Sequence, residues 1–203
     1  MGSGRPMTPI VLFLGLFAGL GKAPAPATKT TIAVAVIGNA SPSAIDTLAP
    51  ILRETFGAEI VVAPSLALPL SAWNAARGQY DSTKLLEELA EAKRPEWERL
   101  LGIADVYLYV PDRDFVFGAA DARRGVAVFS LARLRAGADD ALLSRRAATE
   151  AVHELGHTYG LSHCDKPTCV MWFSNTLSES DGKGTQLCPE HRKELQRNRP
   201  PND

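Results

Sequence analysis

The run from His153 to His163, H-E-L-G-H-T-Y-G-L-S-H, constrains this chain more than any other stretch. His153 and His157 stand four residues apart, so a helix stacks both imidazoles on one face, one turn from each other. Gly160 suits a sharp helix exit with positive φ. The chain can then double back and offer His163. Three imidazoles meeting at one point leave the fourth position of a tetrahedral ion open, which separates a catalytic zinc site from a structural one. Glu154, beside the first histidine, can reach a water on such an ion and act as a general base. A helix with incidental surface histidines is the bland alternative. The glycine and the third histidine at their fixed offsets argue against it.

The chain has four histidines and three cysteines, and all of them fall between His153 and His191. With three histidines assigned, Cys164, Cys169, Cys188 and His191 remain. Three thiolates and an imidazole make a closed, four-coordinate structural zinc site. The alternative is a Cys164–Cys169 disulfide with one free thiol and His191 on the surface. The odd cysteine count favours zinc, and an export signal would favour the disulfide. The expected cofactors are two zinc ions, one catalytic and one structural.

The stretch H-E-L-G-H-T-Y-G-L-S-H-C, followed by C-V-M-W-F-S-N and a second ligand pair, resembles the archaemetzincins, a branch of the metzincin metallopeptidases. Weaker likeness extends upstream through Arg77–Asp81, Asp114–Gly118 and Val128–Leu131. One departure is plain: the last cysteine of the family pattern is His191 here. The resemblance implies a zinc metallopeptidase acting on a peptide or protein, endo- or aminopeptidase undecided. It implies a twisted five-stranded sheet, four strands parallel and one edge strand antiparallel, with a backing helix and an active-site helix. A small zinc-containing C-terminal lobe completes that α/β fold. The peptidase domain would span 28–203, divided into 28–160 and a lobe of 161–203. Met171 falls at the Met-turn, an apolar floor beneath the metal and not a ligand. Phe173 falls where some metzincins carry a tyrosine, and it has no hydroxyl to offer. Trp172, Phe173, Ser174 and Asn175 would shape a pocket wall. Asp114 to Ala119 would be the edge strand at the upper rim of the cleft, to which a peptide adds as a further strand.

At 203 residues and 45% hydrophobic content, one domain with a proper core is expected, with a monomer as the default. A net charge of −1 gives no pull toward nucleic acid. Arg123-Arg124, Arg145-Arg146, Glu150 and Glu190 read as solvated charges. Residues 1–27 combine Arg5, the apolar Ile10–Leu20 and an Ala/Pro stretch with small residues near Ala25 and Ala27. They read as a cleaved secretory signal followed by a linker. The apolar run is too short for a comfortable membrane span. An uncleaved arm, or a true start at Met7, is the alternative. The protein is exported in the first case and cytoplasmic otherwise.

The rest reads as alternating strands and helices, hence an α/β sandwich with a mostly parallel sheet. Strands are expected at Thr31–Gly38, Glu59–Ala63, Ile103–Val110, Asp114–Ala119 and Gly125–Leu131. A helix runs from a serine cap at Ser41–Ser43 to Phe56. Another spans Asp81–Lys93, capped by Asp81 and with Leu85, Leu86 and Leu89 on one face. Leu142–Tyr159 carries the histidines, and Pro189–Arg197 is a short terminal helix. Trp73–Gly78 stays ambiguous. Ser178–Thr185 is too polar to order itself by burial, so the structural zinc would have to hold it. Three functions stay open: zinc-dependent peptide hydrolysis, a catalytically silent zinc-stabilised binding or processing protein, and hydrolysis of a non-peptide amide.

Overall fold

The computed structural model describes residues 1–2 and 30–199. The expected signal segment and linker fall almost wholly outside the described residues. In chain order the elements are β1 (Thr31–Val36), α1 (Ser43–Phe56), β2 (Glu59–Val62), β3 (Trp73–Asn74), β4 (Gln79–Asp81), α2 (Ser82–Ala92) and β5 (Arg99–Ala104). They continue with β6 (Leu108–Val110), β7 (Arg113–Val116), β8 (Gly118–Asp121), β9 (Val126–Ser130), α3 (Leu131–Leu134), α4 (Asp140–Thr158), α5 (Leu177–Gly182) and α6 (Pro189–Asn198). No helix among the described residues is long and apolar enough to cross a membrane.

The main sheet has the order β2-β1-β5-β9-β8. β2, β1, β5 and β9 run parallel, and β8 pairs antiparallel with β9 at the edge. Both faces are covered, so the inner strands read as unbroken apolar runs. Alternate residues serve opposite cores. Ile32, Val34, Leu101, Ile103 and Phe129 pack with Leu48, Leu52 and Phe56 of α1 and with Val152 and Leu155 of α4. Ala33, Ala35, Leu100, Val126 and Val128 pack with Leu85, Leu86 and Leu89 of α2. The Asp81 cap of α2 forms as expected, its Oδ1 accepting from Thr83 N at 2.9 Å. The serine cap of α1 does not form: Pro42 takes the N-cap position and Ser41 Oγ meets Ser43 Oγ instead.

Two expected strands prove to be four. Ile103–Val110 breaks after Ala104, where Ser130 Oγ accepts from Val106 N at 3.1 Å and donates to Val106 O at 2.5 Å. Beyond the break, β6 joins a second sheet of order β3-β4-β6-β7. Asp114–Ala119 breaks at Phe117. Its first half, as β7, pairs with β6. Ser130 N donates to Phe117 O, so pairing with β9 begins there and the main-sheet edge strand is Gly118–Asp121. Trp73–Gly78 resolves into β3 and a turn back to β4.

The polar segment after Met171 carries a helix of its own. Thr176 and Glu179 form a reciprocal capping box at the start of α5. Arg146 then grips Asp181 with two bonds of 2.7 Å. Arg145 donates to Asp181 O at 2.8 Å, and Lys183 Nζ lies 3.2 Å from Glu150 Oε1. Arg146 is 6% exposed, so the expectation of a solvated arginine pair fails there. Ionic docking onto α4 contributes to the order of a segment that was expected to depend on the structural zinc.

Candidate active site

α4 starts on Asp139, whose Oδ1 accepts from Leu142 N at 2.8 Å. It runs beneath the cleft and delivers His153, Glu154 and His157 within one turn of one another. The helix ends in a Schellman-type closure, with Leu161 N bonding Gly156 O and Gly160 N bonding His157 O. Gly160 has φ +79°, a conformation that L side chains rarely adopt. The reversal brings His163 back to the other two. One ligand atom from each histidine lies within 4.8 Å of those of the other two. His153 Nε2 and His157 Nε2 are 3.1 Å apart. Two nitrogens on a tetrahedral zinc are separated by about 3.3 Å, so the spacing fits.

The outer nitrogens set the tautomers. His153 Nδ1 meets Val170 O and His157 Nδ1 meets Leu161 O, each at 2.8 Å. Only an N–H can donate to a carbonyl, so both Nε2 atoms are bare and aimed inward. Burial holds His153 well below the usual imidazole range, with Lys183 and His157 adding to the effect. Burial lowers His157 and His163 as well. All three therefore favour the neutral form that ligates metal. Met171 is fully buried, and its Sδ is 2.6 Å from where a Cβ on Gly156 would stand, so only glycine lets the thioether so close to the helix. Phe173 packs on His163 with ring centroids 4.8 Å apart.

A cleft of about 580 Å³ runs over this cluster. It is bounded above by β7 and β8, and below by the three histidines, Glu154, Phe173, Ser174 and Asn175. Trp172 does not line it. Glu154 is 6% exposed. Burial and the neighbouring Glu150 push its carboxyl well above the usual range, and Lys183 pulls the other way. Glu150 was expected on the surface. It is 3% exposed at the floor of the cleft, because it lies one helical turn before Glu154 on the same face. Lys183 was not anticipated at all, since nothing near it in sequence marks a site. Glu190 is a surface charge as expected, paired with Lys166 at 2.7 Å and held down to about 2 by it.

The second set also comes together. Cys164, Cys169, Cys188 and His191 have ligand atoms within 4.8 Å of one another. All three thiols are free. Cys164 Sγ and Cys188 Sγ are 3.9 Å apart, and His191 Nδ1 is 3.3 Å from Cys188 Sγ and 3.8 Å from Cys169 Sγ. Sulfurs on a tetrahedral zinc are separated by about 3.8 Å, so the donor set fits that ion too. His191 Nε2 donates to Ser162 O at 3.1 Å, which turns Nδ1 toward the thiols. Lys166 N and Cys188 N point at Cys164 Sγ and Cys169 Sγ, bonds that favour thiolate sulfur. Cys188 is pushed up to about 11, mainly by burial, in the metal-free arrangement.

Residues 34–197 match the profile of Peptidase family M54. The archaemetzincin of Methanocaldococcus jannaschii is 35% identical over 171 residues, covering 81% of this chain and 92% of that protein. The archaemetzincin of Methanopyrus kandleri is 40% identical over 156 residues, covering 77% and 88%. The crystal structure of that archaemetzincin superposes with a TM-score of 0.78 at 34% identity, over 87% of this chain and 98% of the other. A zinc-dependent peptidase from Methanocorpusculum labreanum superposes with a TM-score of 0.73 at 28% identity, over 81% and 99%. A chain with this fold, this histidine cluster and this span of likeness belongs to peptidase family M54, the archaemetzincins, and is a zinc metallopeptidase.

Proposed function

We propose that this chain hydrolyses peptide bonds with His153, His157 and His163 holding one zinc ion and Glu154 acting as general base. The observation that carries the reading is the placement of Glu154 in the same cleft as three convergent imidazoles. Zinc bound there supplies a polarising charge for the scissile carbonyl and acidifies a water. The Glu154 carboxylate takes the proton of the attacking water and hands it to the departing amine nitrogen. Met171, buried against Gly156 of the same helix, would give the cluster an apolar floor. The free edge of β8 offers main-chain donors and acceptors to an extended substrate, as an edge strand does.

The second proposal for the site is structural. Cys164, Cys169, Cys188 and His191 hold a zinc that ties α6 and the Met-turn segment to the end of α4. The reading draws support from the burial of Cys169, Cys188 and His191 and from the N–H···S bonds around the sulfurs. A digest of a mixed peptide library by the zinc-loaded protein, read by mass spectrometry beside Glu154→Gln, tests the catalytic half. Cleavage by the wild type that vanishes in the variant, with zinc retained, supports it. Peptide binding that survives Glu154→Gln, with no cleavage by either protein, establishes the silent binding protein instead.

A further inference from the structure

The floor of the cleft holds a pair of charges that hydrolysis does not use. Glu150 lies on α4 and Lys183 follows α5; they are 3% and 2% exposed and both line the cleft. Lys183 Nζ is 3.2 Å from Glu150 Oε1, and Ser180 Oγ donates to the same oxygen at 3.1 Å. Among the described residues these contacts all fall on Oε1, leaving Oε2 as an acceptor. The Lys183 ammonium carries three donors, of which Glu150 engages one side. The pair is neutral as a whole, yet it sets a spare donor beside a spare acceptor at the bottom of the cavity. The platform is rigid, since Arg145 and Arg146 clamp Asp181 and the Lys183 carbonyl onto α4.

We infer that this floor is the end of a side-chain subsite beside the scissile bond, and that it takes a carboxamide side chain, glutamine or asparagine. The inference rests on the hydrolytic reading of the same cleft. A carboxamide brings one acceptor and a donor pair without charge. Its oxygen accepts from Lys183 and its NH₂ donates to Glu150 Oε2. A carboxylate would face Glu150 and Glu154, and an ammonium would face Lys183. An aliphatic side chain would bury both spare groups unpaired, which is the strong basis for rejection in sites built to hydrogen-bond.

The test uses dipeptide hydroxamates that differ only in one side chain, glutamine, asparagine, glutamate, lysine or leucine, titrated into the zinc-loaded full chain. The hydroxamate anchors on zinc, so binding is read without turnover. The glutamine or asparagine compound is expected to bind at least about tenfold more tightly than the leucine and glutamate compounds. Removing one member of the pair would strand a buried charge, so the variant is the double change Glu150→Leu with Lys183→Met, which keeps volume and neutrality. Its zinc content and melting temperature check the fold, and it is expected to prefer leucine. Leucine binding as tightly as the carboxamides in the wild type, or a ranking unchanged in a folded double variant, overturns the inference. The predicted ranking with no peptide cleaved in a parallel digest keeps the subsite and overturns hydrolysis.

Discussion

The histidine cluster and the cysteine cluster are joined by a single peptide bond, His163 to Cys164, yet they are built in opposite ways. The first takes two donors from a rigid helix and one from the turn that ends it, and it opens onto a cleft of about 580 Å³. The second gathers donors from two loops and the start of α6, and three of its four residues are buried. Enclosure, not donor chemistry alone, separates an ion that can meet a substrate from one that can only hold the chain together. The join is reinforced where Cys164 N bonds Met171 O, since Met171 is buried against Gly156 of the helix that carries His153 and His157.

The difference can be broken by substitution, and the largest effect falls on the open side. Glu154→Gln is expected to lower peptide turnover by about 10²–10⁴-fold, the range for a lost general base, with zinc content unchanged. Turnover and metal analysis on one sample decide it, and a variant that loses zinc with its activity assigns Glu154 wrongly. On the closed side, Cys188→Ser should take zinc from two per chain to one and reduce activity only indirectly. Hydrogen exchange is expected to rise between residues 164 and 191 while α2 and the main sheet keep their protection. A smaller loss comes from Asp181→Ala, which leaves Arg146 buried without its carboxylate. It should cost about 3 kcal/mol, or about 6–12 °C in melting temperature, with both zinc ions kept. A shift within about 1 °C would mean that the α5 clamp carries no stability.

The smallest expected effect is a pH dependence of the metal-free protein. His153, His157 and His163 have folded pKa values below about 6.5, so the unfolded chain binds protons first as pH falls. Their contribution to stability is present above about 6.5 and is lost as pH drops through the folded values. Glu154 is raised, which works in the opposite sense above about 4.3. The melting temperature of chelator-treated Glu154→Gln protein, in which the opposing carboxyl is gone, should therefore fall as pH drops below about 6.5. A melting temperature that rises on acidification would contradict the burial of these imidazoles.

What could be read from the amino acids alone followed locality. The catalytic helix, Gly160 and both donor sets were legible because each function needs a residue type at a fixed offset. Of the main sheet, β1, β2 and β9 were legible as apolar runs, whereas β5 was mostly missed, since Arg99–Gly102 precede the strand expected at Ile103–Val110. The second sheet was not legible, because its strands are two to four residues long and charged residues such as Arg113 and Asp114 break any alternation. The break after Ala104 was hidden for the reverse reason: Ile103–Val110 is apolar enough to pass for one strand, and the residue that breaks it, Ser130, lies far along the chain. α5 and Lys183 were illegible because the energy that places them comes from Arg145, Arg146 and Glu150 on another helix. Glu150 itself could have been found, since it repeats Glu154 at one helical turn on the face that carries His153.

One open and one closed zinc site are proposed to stand side by side. Anomalous diffraction at the zinc absorption edge, from crystals of the zinc-loaded full chain, tests it most directly. Two peaks are expected. One lies among His153, His157 and His163 with its coordination completed by an oxygen from outside the protein; the other is enclosed by the sulfurs of Cys164, Cys169 and Cys188 and by His191 Nδ1. A single peak, His163 turned away from the first metal, or a Cys164–Cys169 disulfide in place of the second would contradict it.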